Sequence, residues 1–242
     1  MTVQEILDDA RKKGRAFLDE AGTKQIIETF GVAIPRGVVV RDRAELNSAL
    51  AGLRRPVAVK LISPDASHKS DVGGVKLGLA TAQAVEEAFE TLKRTASERK
   101  LRFDGALIEE MVPAGSELVV GGIIDRRFGP VIMLGLGGIF VEIFHDVSCR
   151  ICPIDRRDVT EMIDDLRSAP ILRGARGMPP VSEQAITGVL LAVGGADGLL
   201  MRLTEEIAEL DINPLIVSEQ GAFACDARLI LSKRDAAVGQ NG

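Results

Sequence analysis

The stretch PVAVKLISPDASHKSDVGGVKLGL, residues 56–79, carries the strongest structural signal in the chain. A short apolar strand ends in Lys60, and a polar loop containing His68 follows it. Gly73-Gly74 close the loop, and a second strand is predicted over 75–79. A lysine at a strand end, beside a glycine-rich polar loop, can face an anion together with backbone N–H groups. The pattern therefore favours a phosphate cradle around Lys60.

The composition of the 242 residues excludes several classes of protein. A net charge of −5 argues against a protein that coats DNA or RNA, because such proteins normally present a basic face. Without Trp or Tyr, a base-stacking platform would depend on eight Phe alone. No apolar run approaches the roughly 20 residues of a membrane span, and the N-terminus lacks the features of a secretion signal. Three cysteines, an odd count, fit a reducing cytoplasm.

The hydrophobic period divides the chain into two halves. In the first half, helical spacing alternates with extended segments, and helices are predicted at 2–13, 24–30, 43–53 and 82–100. From residue 106 the period becomes two, and ALIEEMV, ELVVGGIID and PVIMLGLGG predict an antiparallel meander. Helices at 155–166 and 182–193 precede a last hairpin. This order predicts an α+β protein of two lobes with a ligand cleft between them.

The last hairpin gives a geometric prediction. Its turn at 218–221 pairs Val217 with Ala222, and counting back places Asn213 opposite Asp226. Opposed side chains on antiparallel strands lie about 5 Å apart on one face. An amide oxygen and a carboxylate there could bind a hard cation such as Mg²⁺ on nucleotide phosphates, or form an ordinary polar pair. Pro214 indicates an edge strand or an irregular start.

Two further segments offer groups that could contact a nucleotide. The segment EEMVPAGSE, 109–117, could present backbone groups to an adenine edge and a carboxylate to ribose hydroxyls, or be a solvated strand end. In LGLGGIFVE, the glycines Gly135, Gly137 and Gly138 could let the backbone approach a phosphate or mark a bend or bulge. Glu142 could add a carboxylate on the metal side.

The histidines and cysteines are the candidate reactive side chains. His68 lies among charged residues, so it is either an inert surface side chain or a nucleophile that accepts a phosphoryl group. His145 has apolar neighbours and is interpreted as structural. Cys149-x-x-Cys152 is rejected as a redox or zinc site, because residues three apart on a strand face opposite ways and no second pair exists.

Taken together, these stretches resemble a known family. The chain resembles the ATP-grasp subunit or domain of the NDP-forming acyl-CoA synthetases, of the acetate–CoA ligase (ADP-forming) type. It is more distantly similar to the β subunit of succinyl-CoA synthetase. The matching stretches run in the family's order over about residues 20–232: IETFGVAIPRG, residues 56–79, ALIEEMVPAGSELVVGGIIDRRFGPVIMLGLGG and ELDINPLIVSEQGAFACDARLIL.

The resemblance implies an ATP-grasp fold and a role for each matching residue. Lys60 would hold the α- and β-phosphates of ATP or ADP, and Glu117 would bind the ribose. His68 would relay phosphate between an acyl-phosphate site and ADP, and Asn213 and Asp226 would bind Mg²⁺. The adenine hinge would consist of Glu109, Glu110, Met111 and Val112.

The resemblance also implies how the chain is divided and what it lacks. The expected segments are a helical extension (1–19), an N-terminal lobe with the phosphohistidine loop (20–107), a C-terminal lobe (108–233) and a flexible tail (234–242). The family's CoA-binding domain has no counterpart in these residues. A separate α-type, CoA-binding subunit is therefore expected to supply the small organic acid or acyl-CoA.

One residue departs from the pattern, and two other functions stay open. Asp211 stands where the succinyl enzymes have Glu, which weakens the transfer of detail from that branch. The expected reaction is acyl-CoA + ADP + phosphate ⇌ acid + CoA + ATP. The alternatives are a catalytically silent, nucleotide-binding regulatory chain and a stand-alone ATP-grasp ligase that joins a carboxylate to an amine. Neither nucleic acid nor membrane is expected as a partner.

Overall fold

The computed structural model describes residues 1–66, 69, 72–138, 145–175 and 179–233. His68, Glu142 and the tail from residue 234 lie outside the described residues. The chain forms two compact units. The small unit comprises 19–21 and 34–113, and the large unit comprises 1–18, 22–33 and 114–242.

This division differs from the one expected from sequence. The small unit extends to Pro113 rather than to residue 107, and residues 22–33 group with the large unit. The N-terminal segment 1–18 is part of the large unit, because its short strand β1 (Phe17–Leu18) pairs with the last strand of that unit's sheet. Such pairing joins residues more than 200 positions apart, which local pattern does not reveal.

The small unit is built on a four-stranded antiparallel sheet. Its strands, in the spatial order β2–β5–β3–β4, are β2 (Gly37–Val40), β5 (Gly105–Glu110), β3 (Val57–Ile62) and β4 (Val75–Leu79). The prediction that ALIEEMV begins the second lobe's meander is wrong. Strand β5 pairs with β2 and β3 and is buried along its whole length.

Helices cover the small sheet. A 3-10 turn (Arg43–Glu45) leads into α3 (Leu46–Ala51), and α4 spans Ala82–Glu98 after the N-cap Thr81. The helix predicted at 82–100 is confirmed, and its Val85, Phe89 and Leu92 are all fully buried in the core of this unit. Burying three such side chains contributes roughly 1.5–3 kcal/mol each.

The large unit contains a seven-stranded antiparallel sheet. Six strands follow the order β1–β11–β9–β6–β7–β8, and β10 pairs with β9. The meander predicted for ELVVGGIID and PVIMLGLGG is confirmed, because these segments form the neighbours β6 and β7. The remaining strands are β6 (Ser116–Asp125), β7 (Gly129–Leu136), β8 (Val147–Ile151), β9 (Ile207–Ser218), β10 (Gly221–Ala224) and β11 (Ala227–Leu231).

Local capping explains where the large unit's helices begin. Thr2 and Glu5 form a capping box on α1, Asp155 caps α5, and Ser182 caps α7. Helix α2 begins at Glu20, four residues earlier than predicted. The helices are α1 (Val3–Lys12), α2 (Glu20–Thr29), α5 (Arg156–Asp164), α6 (Ala169–Leu172), α7 (Glu183–Gly194) and α8 (Leu199–Arg202). The first two residues of α2 group with the small unit.

Strand β9 carries an irregularity in the centre of the sheet. The register against β6 shifts between Leu118, opposite Leu215, and Val120, opposite Ile212. Asn213 and Pro214 therefore together face one residue of β6, which is the geometry of a β-bulge. The prediction of irregularity at Pro214 is confirmed, but β9 is not an edge strand, since β6 lies on one side and β10 and β11 lie on the other.

One segment has the length and composition of a membrane span. Within Glu183–Arg202, an 18-residue window has a mean hydropathy of 1.5, and half of that window is buried inside the protein. The expectation that no apolar run approaches the roughly 20 residues of a membrane span is wrong for this segment. The segment is divided between α7 and α8 around Gly195–Gly198, and core helices of soluble proteins share its apolar character.

Candidate functional site

The hairpin geometry predicted for Asn213 and Asp226 is confirmed. Val217 pairs with Ala222 as counted, and the backbone N–H of Asn213 donates to the carbonyl oxygen of Asp226 at 3.1 Å. Asn213 is exposed and Asp226 is half-buried, while the neighbouring Ile212 is buried. The bulge thus leaves Asn213 exposed, opposite Asp226 in the hairpin.

The donor set around this pair fits a hard divalent cation. An amide oxygen and a carboxylate oxygen are ligands of the kind that Mg²⁺ accepts when nucleotide phosphates supply others. Asp211, two residues earlier on β9, shares the face of Asn213 and lies opposite Arg228. Among the described residues, no group of three or more His, Cys, Asp or Glu side chains could hold a metal ion. Binding here would therefore depend on oxygen atoms of the nucleotide.

Glu117 and the glycine pair meet at one end of β6 and β7. The N–H of Gly137 donates to the carbonyl oxygen of Glu117 at 2.6 Å. A Cβ atom at residue 137 would lie 3.0 Å from that oxygen, so only glycine fits without displacement. Gly138 has φ +61°, a left-handed conformation that glycine adopts at little cost. The exposed carboxylate of Glu117 thus stands beside a tight backbone corner.

Lys60 is the centre of a buried charge cluster in the small unit. Its Nζ lies 2.8 Å from Oε1 of Glu20 and 2.8 Å from Oε2 of Glu109, and Lys69 pairs with the other oxygen of Glu20. The exposed fractions of Lys60, Glu20 and Glu109 are 6%, 4% and 2%. Each of these ammonium groups is paired with a carboxylate, as burial of charge requires. Lys60 lies inside β3, which extends two residues beyond the predicted strand end.

Gly37 makes room for the buried carboxylate. It lies opposite Glu109 in the pairing of β2 with β5, and a Cβ atom at residue 37 would sit 2.7 Å from Cγ of Glu109. Any side chain at this position would push Glu109 away from Lys60. The glycine belongs to the stretch IETFGVAIPRG on which the family resemblance partly rested, so its position was a signal that sequence analysis did not use.

The four predicted hinge residues divide into two kinds. Glu109 contacts Lys60, whereas the next side chain, Glu110, bonds to Arg54, with its carboxylate oxygens 3.0 Å from the backbone N and from Nε. These bonds, the backbone one first, lower the pKa of Glu110. The N–H groups of Glu110 and Met111 donate to the carbonyls of Arg36 and Pro56. Met111 is exposed and Val112 is half-buried, so these two begin an open segment.

Sequence analysis missed the partners of the predicted residues. Glu20 is 40 positions from Lys60, and Arg54 is 56 positions from Glu110, so no local pattern links either pair. The structure brings together Lys60 with Glu109, Glu117 with the glycine pair, and Asn213 with Asp226. His68 lies outside the described residues.

Comparison with known proteins agrees with this architecture. A family model described as an ATP-grasp domain matches residues 9–231. Acetate–CoA ligase (ADP-forming) I subunit beta from Pyrococcus furiosus is 41% identical over 230 residues, which cover 94% of this chain and 97% of the relative. Acetate–CoA ligase (ADP-forming) I from Archaeoglobus fulgidus is 36% identical over 231 residues, or 95% of this chain but 33% of that longer relative.

Solved structures show the same fold. Dinucleotide-forming acetyl-coenzyme A synthetase 1 from Ca. Korarchaeum cryptofilum, with coenzyme A, Ca-AMPCP and HgCl+, has a TM-score of 0.89 at 35% identity, covering 96% of this chain and 100% of that chain. A complex of that enzyme with coenzyme A and Mg-AMPPCP has a TM-score of 0.80 at 35% identity and the same coverage, and its phosphohistidine segment points towards the nucleotide-binding site. The α+β, ATP-grasp fold class is thereby confirmed. This chain belongs to the ATP-grasp family, in the branch formed by the beta subunits and domains of the ADP-forming acid–CoA ligases.

Proposed function

We propose that this chain is the nucleotide-binding subunit of an ADP-forming acid–CoA ligase. It acts with a CoA-binding, α-type subunit that handles a small organic acid and its acyl-CoA. The overall reaction is acyl-CoA + ADP + phosphate ⇌ acid + CoA + ATP. Two relatives support the need for a partner. The Pyrococcus relative is by name one subunit of such a ligase, and this chain covers 97% of it. The Archaeoglobus ligase carries its name without a subunit label, and this chain covers only 33% of it. The odd count of three cysteines supports a cytoplasmic location.

The observation that carries the proposal is the facing pair Asn213 and Asp226. The bulge in β9 leaves Asn213 exposed opposite the half-buried Asp226, and their backbone atoms are bonded at 3.1 Å. These two side chains would hold Mg²⁺, which when bound neutralises phosphate charge during phosphoryl transfer. If Asn213 and Asp226 were an ordinary polar cross-strand pair, a regular strand would suffice, and the bulge that exposes Asn213 would have no purpose.

Each predicted nucleotide-binding residue would have its own role. The ammonium of Lys60 would bind the α- and β-phosphates, with Glu109 and Glu20 orienting it. Glu117 would accept hydrogen bonds from ribose hydroxyls. The segment after β5 would contact the adenine edge through Met111 and Val112, and the corner at 137–138 would let backbone N–H groups approach a phosphate.

His68 would carry the phosphoryl group. An imidazole nitrogen attacks phosphorus at the acyl-phosphate site, so a P–N bond forms while the acid leaves with the bridging oxygen. A terminal oxygen of ADP then attacks the same phosphorus, the P–N bond breaks, and neutral imidazole and ATP result. The phosphohistidine segment of the Korarchaeum enzyme supports this role. Positioning and charge neutralisation would supply most of the rate enhancement.

The test is turnover by the chain together with its CoA-binding partner. ATP formation from ADP, phosphate and acetyl-CoA is measured for the wild type and for N213A and D226A, with a panel of other acyl-CoA esters. Both variants are expected to lose at least 100-fold in rate, while N47A, at an exposed position of α3, retains the rate. Equal rates for N213A and N47A would refute the metal assignment.

Labelling separates the remaining possibilities. Incubation with [γ-³²P]ATP and Mg²⁺ should give an acid-labile label that His68→Ala abolishes, and a persistent label in that variant would exclude the relay. Nucleotide binding without turnover, for any acyl-CoA and partner, would instead indicate a regulatory chain. Activity of the isolated chain with an amine acceptor, unaffected by His68→Ala, would indicate a carboxylate–amine ligase.

A further inference from the structure

Lys24 is a buried cation that the proposed mechanism does not use. It lies on α2 in the large unit, is 2% exposed, and donates from Nζ to the carbonyl oxygen of Cys225 at 2.7 Å. Taking an ammonium group out of water is costly unless its contacts compensate. A methionine of similar length would fill the same space without that cost. We therefore look for the role of this charge in the contact that Lys24 makes with the carbonyl of Cys225.

The contacted carbonyl lies in the break between β10 and β11, immediately before Asp226. In this break the N–H of Cys225 donates to the carbonyl of Pro214 at 2.9 Å. The N–H of Asn213 donates to the carbonyl of Asp226 at 3.1 Å. The peptide that Lys24 holds is thus bonded to the bulge in β9, and it leads directly into the facing carboxylate.

We propose that Lys24 is a positioning residue for the metal-binding pair. By fixing the Cys225 carbonyl, its ammonium sets the path of the chain into Asp226 and, through the bonds across the bulge, the spacing of Asp226 from Asn213. The inference rests on the proposed function, since it gives a purpose to Lys24 only if these two side chains bind a divalent cation. Groups that orient metal ligands from behind affect metal affinity by 10–100-fold in other proteins.

The direction in which metal affinity changes when Lys24 is replaced distinguishes a positioning role from a purely electrostatic one. By charge alone, a nearby ammonium repels a divalent cation, so its removal would tighten metal binding. If Lys24 instead positions the ligands, its removal loosens metal binding. The two possibilities predict opposite changes in one measurable constant.

The experiment measures Mn²⁺ binding by electron paramagnetic resonance on the full chain with ADP present. Lys24→Met should raise the Mn²⁺ dissociation constant about tenfold or more. The affinity for ADP in the presence of EDTA, measured by calorimetry, should stay within about twofold, because metal-free ADP does not depend on the pair. Arg11→Met is the control, since Arg11 in the same unit also donates to a main-chain carbonyl, that of Glu206 at 3.0 Å, and pairs with the carboxylate of that residue.

Each outcome decides the proposal. Unchanged or tighter Mn²⁺ binding in Lys24→Met, or an equal loss in Arg11→Met, overturns it. If thermal denaturation shows that Lys24→Met does not fold, Lys24→Gln takes its place, and failure of both to fold makes Lys24 a core residue and ends the proposal. Asp226→Ala is run in parallel: if it binds Mn²⁺ like the wild type, the metal site itself is wrong, and with it the assignment on which Lys24 depends.

Discussion

The ammonium nitrogen of Lys60 lies 2.8 Å from Oε2 of Glu109, and both side chains are buried. The lysine proposed to bind nucleotide phosphates is thus held by carboxylates of its own unit. Glu20 contacts the same ammonium from α2 at 2.8 Å. Anchoring of this kind fixes a flexible side chain in one orientation, which lowers the entropy that a ligand must remove on binding.

Replacing Lys60 tests both its binding role and its structural role. Lys60→Met leaves the carboxylate of Glu109 buried without this cation, so the free energy of unfolding should fall by about 3–5 kcal/mol. The affinity for MgADP should fall at least 100-fold by calorimetry at a temperature where the variant is folded. Lys93→Met, at an exposed position of α4, should change neither quantity. Normal MgADP binding by a folded Lys60→Met protein would contradict the assignment.

Gly37 should tolerate no side chain. Gly37→Ala places a methyl group 2.7 Å from Cγ of Glu109. The shifts that such overpacking forces should lower the free energy of unfolding by about 1–3 kcal/mol. The displaced carboxylate should also weaken MgADP binding. Gly188→Ala is the matched control: residue 188 is exposed on α7 with no atom near its Cβ position, so alanine should be neutral or stabilise the helix by about 0.5–1 kcal/mol. Equal melting temperatures for the two variants would refute the packing argument.

The bonds from Arg54 to Glu110 should make stability depend on acid pH. They lower the pKa of Glu110, first through the backbone N–H of Arg54. A lowered pKa means that this stabilisation is complete above the unfolded value of about 4.3 and is lost as the pH falls through the folded value. Glu110→Gln should therefore unfold more easily at pH 7, by about 1–3 kcal/mol, and the difference from wild type should shrink below pH 4.5.

Arg54→Ala provides the internal comparison for that experiment. It keeps the backbone bond to Glu110 and removes the bonds from the Arg54 side chain, which is 91% exposed. Its cost in denaturant unfolding should be smaller than that of Glu110→Gln. A larger cost, or a pH-independent difference for Glu110→Gln, would show that the carboxylate is not held as described.

The cysteines of Cys149-x-x-Cys152 should react separately. Cys149 is exposed on β8, and Cys152 is buried after the strand, close to Gly194 of α7. Burial raises the pKa of Cys152 to about 11, so roughly one thiol in a thousand is ionised at pH 8. Iodoacetamide followed by mass spectrometry should modify Cys149 in the folded protein and Cys152 only after denaturation. Rapid formation of a 149–152 disulfide, or zinc binding by the pair, would contradict the rejection of this motif.

Local pattern was enough for much of the architecture. Periods and turns within about 20 residues predicted helix α4, the starts of α5 and α7, the meander of β6 and β7 and the register of the last hairpin. The opposition of Asn213 to Asp226 could be counted because a short turn fixes the register of its two strands. The family resemblance added roles, which the turnover and labelling experiments test.

Long-range pairing settled the rest. The sequence of strand β5 has the same hydrophobic period of two as the strands that follow it in the chain. Only its pairing with β2 and β3 assigns it to the small unit. Glu20, Gly37 and Lys24 look unremarkable in sequence, yet each owes its importance to a contact with a residue 40 or more positions away. The physical reason is that hydrophobic period reports only which face of an element is buried. Which charge then meets which partner inside depends on how separate elements pack together.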